Sequence, residues 1–297
     1  MNYMLAIVLL ATFIKPDTVC LSNRHGHVEV ALHGGFVTHY VPSGEVEIVA
    51  EPVPFFEQTD RELLVGGIPV CWPWFVNLGP KDDPPNGLTR YQTWHVKGKK
   101  DGDDRSTLVL EVDDDEWSRS VWKHNYHAEL HVVLDERLGI RFTVTNTGTS
   151  AMSCNDGFHS YFHVGEAHQC IVKGTDGFRY FNRAEADKGF SRRWTGDFKV
   201  EEMQYGYAFQ KGPQVVQLVD PLLQRTLEIA YHGTVNTCIW NPGTRNQMFA
   251  DSWRRFVCVE GANLYESGAY QLAPGATHEI SMSVGILRSK TKEGVRP

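Results

Sequence analysis

The chain has 297 residues, 41% of them hydrophobic, with 29 Lys and Arg against 36 Asp and Glu for a formal net charge of −7. That apolar fraction supplies a sizeable core and excludes a disordered chain. With acidic residues scattered and no basic run, nucleic acid is excluded as a partner, and an anionic ligand would need a local group of Arg or Lys.

Met4 to Ile14 is an apolar stretch too short to span a bilayer comfortably. It has the length of a signal-peptide core, but no Lys or Arg precedes it and no small-x-small site follows it. Residues 1–18 are therefore read as an N-terminal extension, either a signal peptide of a secreted chain or a first packing element of a cytoplasmic one. The cytoplasmic reading is adopted, with no membrane partner and a monomeric state expected.

From Val19 onward the texture is β. His27–Leu32 and Thr107–Val112 alternate polar and apolar residues. Residues 128–134 and 139–144 read as a hairpin turning at 135–138, and 214–219 with 226–231 as a second pair. Residues 278–286 form a closing strand. No long helical periodicity interrupts the series, and 27 Gly and 14 Pro punctuate it, which predicts an all-β, mostly antiparallel sandwich or barrel rather than βαβ units. The acidic run Asp113-Asp114-Asp115-Glu116 reads as a solvated loop. No low-complexity linker divides the chain, so residues 19–290 are expected to form a single domain and 291–297 a tail. Six cysteines occur without a CxxC pair. Cys71, Cys154, Cys170, Cys238 and Cys258 lie in or beside apolar runs and are predicted to be small buried hydrophobes, with no zinc site.

Three segments carry the chemistry. They are Gly66-Gly67-Ile68-Pro69-Val70-Cys71-Trp72-Pro73-Trp74-Phe75, then Asp156-Gly157-Phe158-His159-Ser160-Tyr161-Phe162, then Phe256-Val257-Cys258-Val259-Glu260. Ile68-Pro69 after the paired glycines cannot open a helix, which excludes a phosphate loop. One imidazole and one carboxylate, each inside an apolar segment, can act as acid and base on one bound group, with burial raising the carboxyl towards a useful base. On patterning alone, a hydrogen-bonded core histidine and a solvated strand-end glutamate are the favoured readings.

With Trp240-Asn241-Pro242-Gly243, Met248-Phe249-Ala250-Asp251 and Ala273-Pro274-Gly275, the ordered set resembles the hexose-6-phosphate mutarotases (glucose-6-phosphate 1-epimerases) of the aldose 1-epimerase superfamily, over about Val19 to Leu287. The resemblance implies a β-supersandwich of the galactose mutarotase-like type and cofactor-independent interconversion of sugar anomers. It assigns Glu260 as base at O1 and His159 as acid at the ring oxygen, facing one another at a separation that fits a pyranose ring. It also points to Arg90, Asp251, Trp72 and Asn86 as substrate-binding residues, and Trp74 offers a further aromatic face.

Two positions depart from the family pattern: Val65 stands where an Arg usually helps hold the phosphate, and Asn86 where a His is usual. One lost charge-assisted contact costs about 1.5–3 kcal/mol, so weaker preference for the phosphorylated sugar is expected unless Arg61, Arg192, Arg193, Arg254 or Arg255 compensates. The alternatives are a mutarotase for an unphosphorylated or modified sugar and a non-catalytic carbohydrate-binding protein. The retained His159 and Glu260 argue against the second, because binding alone needs no matched acid and base. His159 with His163, and His124 with His127, have spacings that could bring ligands together, but the reaction needs no metal and none is expected.

Overall fold

Alternating strands bury every second side chain, and the longest of them build one regular sheet. The computed structural model describes residues 17–55, 63–76, 79, 84–182, 189–200, 206–245, 249, 252–264 and 269–287. Among these, nine antiparallel strands run in the order Phe198–Lys199, Ile171–Lys173, Val215–Asp220, Arg225–His232, Thr277–Ile286, Leu138–Asn146, Tyr126–Leu134, Ser106–Asp113, His95–Lys100. The hairpin of Tyr126–Leu134 with Leu138–Asn146 keeps register over its whole length, from Leu134 opposite Leu138 to Tyr126 opposite Asn146.

A second sheet is built mostly of short strands, Phe256–Asn263 being the long one. Its order is Arg192–Arg193, Arg179–Asn182, Tyr207–Gln210, Asn236–Trp240, Phe256–Asn263, Asp156–Phe158, Val70–Cys71, with Tyr161–His163 also paired to Phe256–Asn263. A three-stranded antiparallel sheet of Thr18–Asn23, Gly26–Ala31 and Phe36–Pro42 lies at the side. One hydrophobic core joins all three, with Leu130, Phe142 and Ile280 from the first sheet, Phe158, Val257 and Val259 from the second, and Leu21, Val28 and Tyr40 from the third. The described residues thus form an all-β, mostly antiparallel fold.

The acidic run is not a simple loop. Asp113 ends a strand, and Asp115 caps the short helix Glu116–Val121, its side chain accepting from Ser118 N at 2.6 Å while Ser118 Oγ accepts from Asp115 N. Six residues are too few to show periodicity, so the capping box was its sequence trace. Residues 1–16, which include the apolar stretch, lie outside the described residues. No helix among the described residues is long and apolar enough to cross a membrane.

Candidate active site

The three chemistry-bearing segments become neighbours. Phe158 pairs with Val70 and Gly157 with Cys71, while His159 N and Tyr161 N donate to the carbonyls of Pro69 and Gly67, each at 2.9 Å. On the other side Gly157 faces Ala262 and Tyr161 faces Cys258. Gly157 is required there, since a Cβ would stand 2.6 Å from that of Ala262 and 2.8 Å from the Phe75 ring.

Strand alternation then divides Phe256–Asn263. Val257 and Val259 enter the main core, whereas Phe256, Cys258, Glu260 and Ala262 point to the opposite face of the eight-stranded sheet. On that face Glu260 is flanked by Cys258 and Ala262 along its strand and by Cys238 across it. These neighbours are all small side chains.

His159 Nδ1 lies 2.9 Å from Glu260 Oε1, and the two side chains are only 12% and 5% exposed. The contact is off the hydrogen-bonding axis of the ring, so Nδ1 has ion-pair proximity without a well-aligned hydrogen bond. The imidazole lies between the Tyr161 ring, parallel at 4.6 Å, and the Phe75 ring at 5.6 Å, with the Trp240 edge at 5.9 Å. Tyr161 Oη stands 3.4 Å from Nε2, a long contact. Burial holds the Tyr161 phenol and the Cys258 and Cys238 thiols well above their usual range, so these neighbours stay protonated. Cys258, His159 and Glu260 have ligand atoms within 4.8 Å of one another, but a thiol so buried is a poor metal ligand.

His159 and Glu260 do meet, but in direct contact rather than a ring's width apart. The expected separation overlooked that O1 and the ring oxygen are bonded to the same carbon. Groups acting on them need only part enough to admit one edge of a sugar.

The remaining assigned residues divide. Arg90 is buried and donates from Nη2 to Leu64 O at 2.8 Å, and its charge lies near enough to Cys71 to oppose the rise that burial imposes on that thiol, which puts it beside the site. It makes no ion pair with a carboxylate among the described residues. Trp72 has no exposed surface: its ring packs against Trp122 and Tyr126, and Nε1 donates to Tyr270 Oη at 3.1 Å. It cannot stack on a sugar, and its place is in the core. Trp74 is buried too, donating to Pro84 O. Asn86 sits at φ +62° and its carboxamide oxygen accepts from Val76 N, so it shapes the loop before Arg90. Asn241 likewise closes a turn, bonding Trp253 O, Phe256 O and Gly243 N. Asp251 lies outside the described residues, as does Arg61.

Val65 is buried with Tyr91, Tyr161, Phe249 and Cys258, in an apolar cluster bordering the site. None of the four described candidates for replacing the family Arg reaches it. Arg192 and Arg193 are four strands from Glu260, ~19 Å at the usual strand spacing. Arg254 lies over Trp253 and pairs with Glu166, while Arg255 donates to Gly165 O.

Sequence reading missed the support beneath the pair. Asp156, fully buried, accepts from Asn263 Nδ2 at 2.7 Å and Tyr270 Oη at 2.9 Å, and His278 Nε2 is 2.9 Å away. This network ties Asp156–Phe158 to Phe256–Asn263, the strands that set His159 and Glu260 in register. A carboxylate opening the second segment was its only trace.

The aldose 1-epimerase family profile matches residues 17–285. A Salmonella typhimurium protein provisionally named glucose-6-phosphate 1-epimerase is 27% identical over 286 residues, covering 92% of this chain and 91% of that protein. Among solved structures, a provisionally named mutarotase from Salmonella typhimurium superposes with a TM-score of 0.79 at 22% identity, covering 92% of this chain and 91% of that one. A galactose mutarotase-like protein from Lactobacillus casei superposes at 0.67 with 14% identity, covering 91% of this chain and 100% of that one.

Proposed function

Because the chain belongs to the aldose 1-epimerase family and is an isomerase, we propose that it interconverts the α and β anomers of an aldohexose 6-phosphate without a cofactor. The observation that carries this reading is the isolated, nearly buried Glu260–His159 pair on an aromatic-lined face. A buried ion pair is a weak source of stability, so its presence here favours chemistry.

In the forward step Glu260 takes the proton of the anomeric hydroxyl while His159 delivers one to the ring oxygen as the C1–O5 bond breaks. The open aldehyde turns about C1–C2. The former ring oxygen then attacks the other face of C1, returning its proton to His159 as Glu260 returns one to O1. Each group ends as it began. Small residues around Glu260 admit the C1 edge, and the rings of Phe75, Tyr161 and Trp240 restrict the imidazole.

Arg90 is the anchor for the phosphate in this reading, as a buried cation beside the site without a carboxylate partner among the described residues. The apolar surroundings of Val65 favour a second reading, a mutarotase acting on an unphosphorylated sugar. NMR exchange between anomers of glucose 6-phosphate and of glucose tests both. Faster exchange of the phosphate by tenfold or more in kcat/KM supports the first, equal or reversed preference supports the second, and no enzyme-dependent exchange of any aldose overturns the catalytic reading.

A further inference from the structure

On the outer face of the three-stranded sheet, away from the site, a thiol, an imidazole and a carboxylate converge. Cys20 is exposed, unlike the five other cysteines, which are buried. It stands opposite Glu29 in the strand register, and Ser22, two residues on, stands opposite His27. Alternation puts Cys20, Ser22, His27 and Glu29 on one face, since Leu21, Val28 and Val30 between them enter the core. One ligand atom from each of Cys20, His27 and Glu29 lies within 4.8 Å of the other two.

The ring of His27 is already oriented. Nδ1 is 2.8 Å from Ser22 Oγ, and Nε2 is 3.5 Å from Glu29 Oε1. With Nδ1–H donating to the serine hydroxyl, the Nε2 lone pair points towards Glu29. Outer hydrogen bonds of this kind commonly fix a ligating histidine. Thiolate, imidazole and carboxylate together form a donor set suited to zinc, whose bonds of ~2.0–2.3 Å place ligands closer together than these atoms now stand. Cys20 is exposed and His27 and Glu29 are partly so, which allows that contraction by rotamer changes.

We propose that Cys20, His27 and Glu29 form a zinc-binding site with solvent at a fourth corner, stapling the first strand to the second. Binding breaks the Cys20 S–H bond, forms a Zn–S bond and releases the proton to solvent, with no change of oxidation state. A second cluster, Glu111, His127 and Glu129 on the nine-stranded sheet, is the natural comparison. It lacks a thiol, and Lys97 Nζ already lies 3.0 Å from Glu111 and 2.6 Å from Glu129, so a divalent ion would have to displace an ammonium.

Cobalt(II) titration of the reduced full-length chain tests the site, because cobalt–thiolate charge transfer absorbs in the near ultraviolet and marks a cysteine ligand. One equivalent should raise this band, and one equivalent of zinc should abolish it. Zinc should also raise the Tm. Cys20→Ser should lose the band and the Tm response, His27→Ala should weaken both at least tenfold in metal concentration, and His127→Ala should change neither. Cys20 and His27 contribute no side chain to the core, and retained anomer exchange in their variants verifies folding. A wild type with no thiolate band, or a band that survives in Cys20→Ser, overturns the assignment.

Discussion

Two Glu–His pairs of nearly equal length sit on the two large sheets. Glu129 Oε2 is 2.8 Å from His131 Nε2, and Glu260 Oε1 is 2.9 Å from His159 Nδ1. Their surroundings differ. Glu129 also engages Lys97 at 2.6 Å and His127 at 3.4 Å on a partly solvated face. The Lys97 hydrogen bond above all, helped by those from His131 and His127, holds its carboxyl at about 2. Such a group is committed to its anionic form and makes a poor base. Among the described residues Glu260 has one ion-pair partner, His159, in a nearly dry recess of rings and neutral thiols. Distance alone does not distinguish these pairs; solvent access and competing donors do.

The contrast breaks first at Glu260. Glu260→Gln keeps the shape and loses the base, so kcat for anomer exchange should fall ~10²–10⁴-fold with KM within a few-fold, read by NMR exchange spectroscopy. Glu129→Gln should leave kcat unchanged. A comparable loss in both variants would erase the distinction.

The two sheets should also respond differently to one added methyl group. At Gly261, behind Glu260, a Cβ would stand 2.3 Å from the Tyr231 ring, whose hydroxyl donates to Val259 O at 2.7 Å. Gly261→Ala should cost about 1–3 kcal/mol in denaturant unfolding. At Gly139, in the regular hairpin, a Cβ would meet Val133 at 3.8 Å. Gly139→Ala should be neutral or stabilise by about 0.5–1 kcal/mol.

A smaller effect sharpens the phosphate end. Arg90→Ala should reduce the ratio of kcat/KM for glucose 6-phosphate over glucose about tenfold, the scale of one charge-assisted contact. An unchanged ratio would remove Arg90 as the anchor. Val65→Arg, which the family pattern suggests as a gain, would bury a charge among Tyr91, Tyr161 and Phe249, and should lower the Tm.

The smallest effect lies with Glu129. Its carboxyl is depressed from an ordinary 4.5 to about 2, so its contribution to stability is present above 4.5 and is lost as pH falls through about 2. Lys97→Met should move the Glu129 midpoint upward in a carboxyl NMR titration. The stability change should be small because this face is solvated. A midpoint unmoved in Lys97→Met would show that the histidines alone hold it.

The sequence alone determined the strands whose two faces meet different solvents. The hairpin predicted at 128–134 and 139–144 alternates because one face is core and the other is wet, and it folds as Tyr126–Leu134 and Leu138–Asn146. It also marked His159, Glu260 and Arg90, through ordered segments rather than periodicity. Alternation fails on Phe256–Asn263, where all eight residues are buried, so the pattern could not say which side chains share a face with Glu260. Tertiary structure decided that, and it withdrew Trp72 into the core because an apolar Pro-rich run reads alike whether it packs inward or lines a cleft. It also decided the meeting of Cys20 with Glu29, which no sequence spacing announces. Their proximity comes from strand register, and register depends on which residues the neighbouring strand must bury.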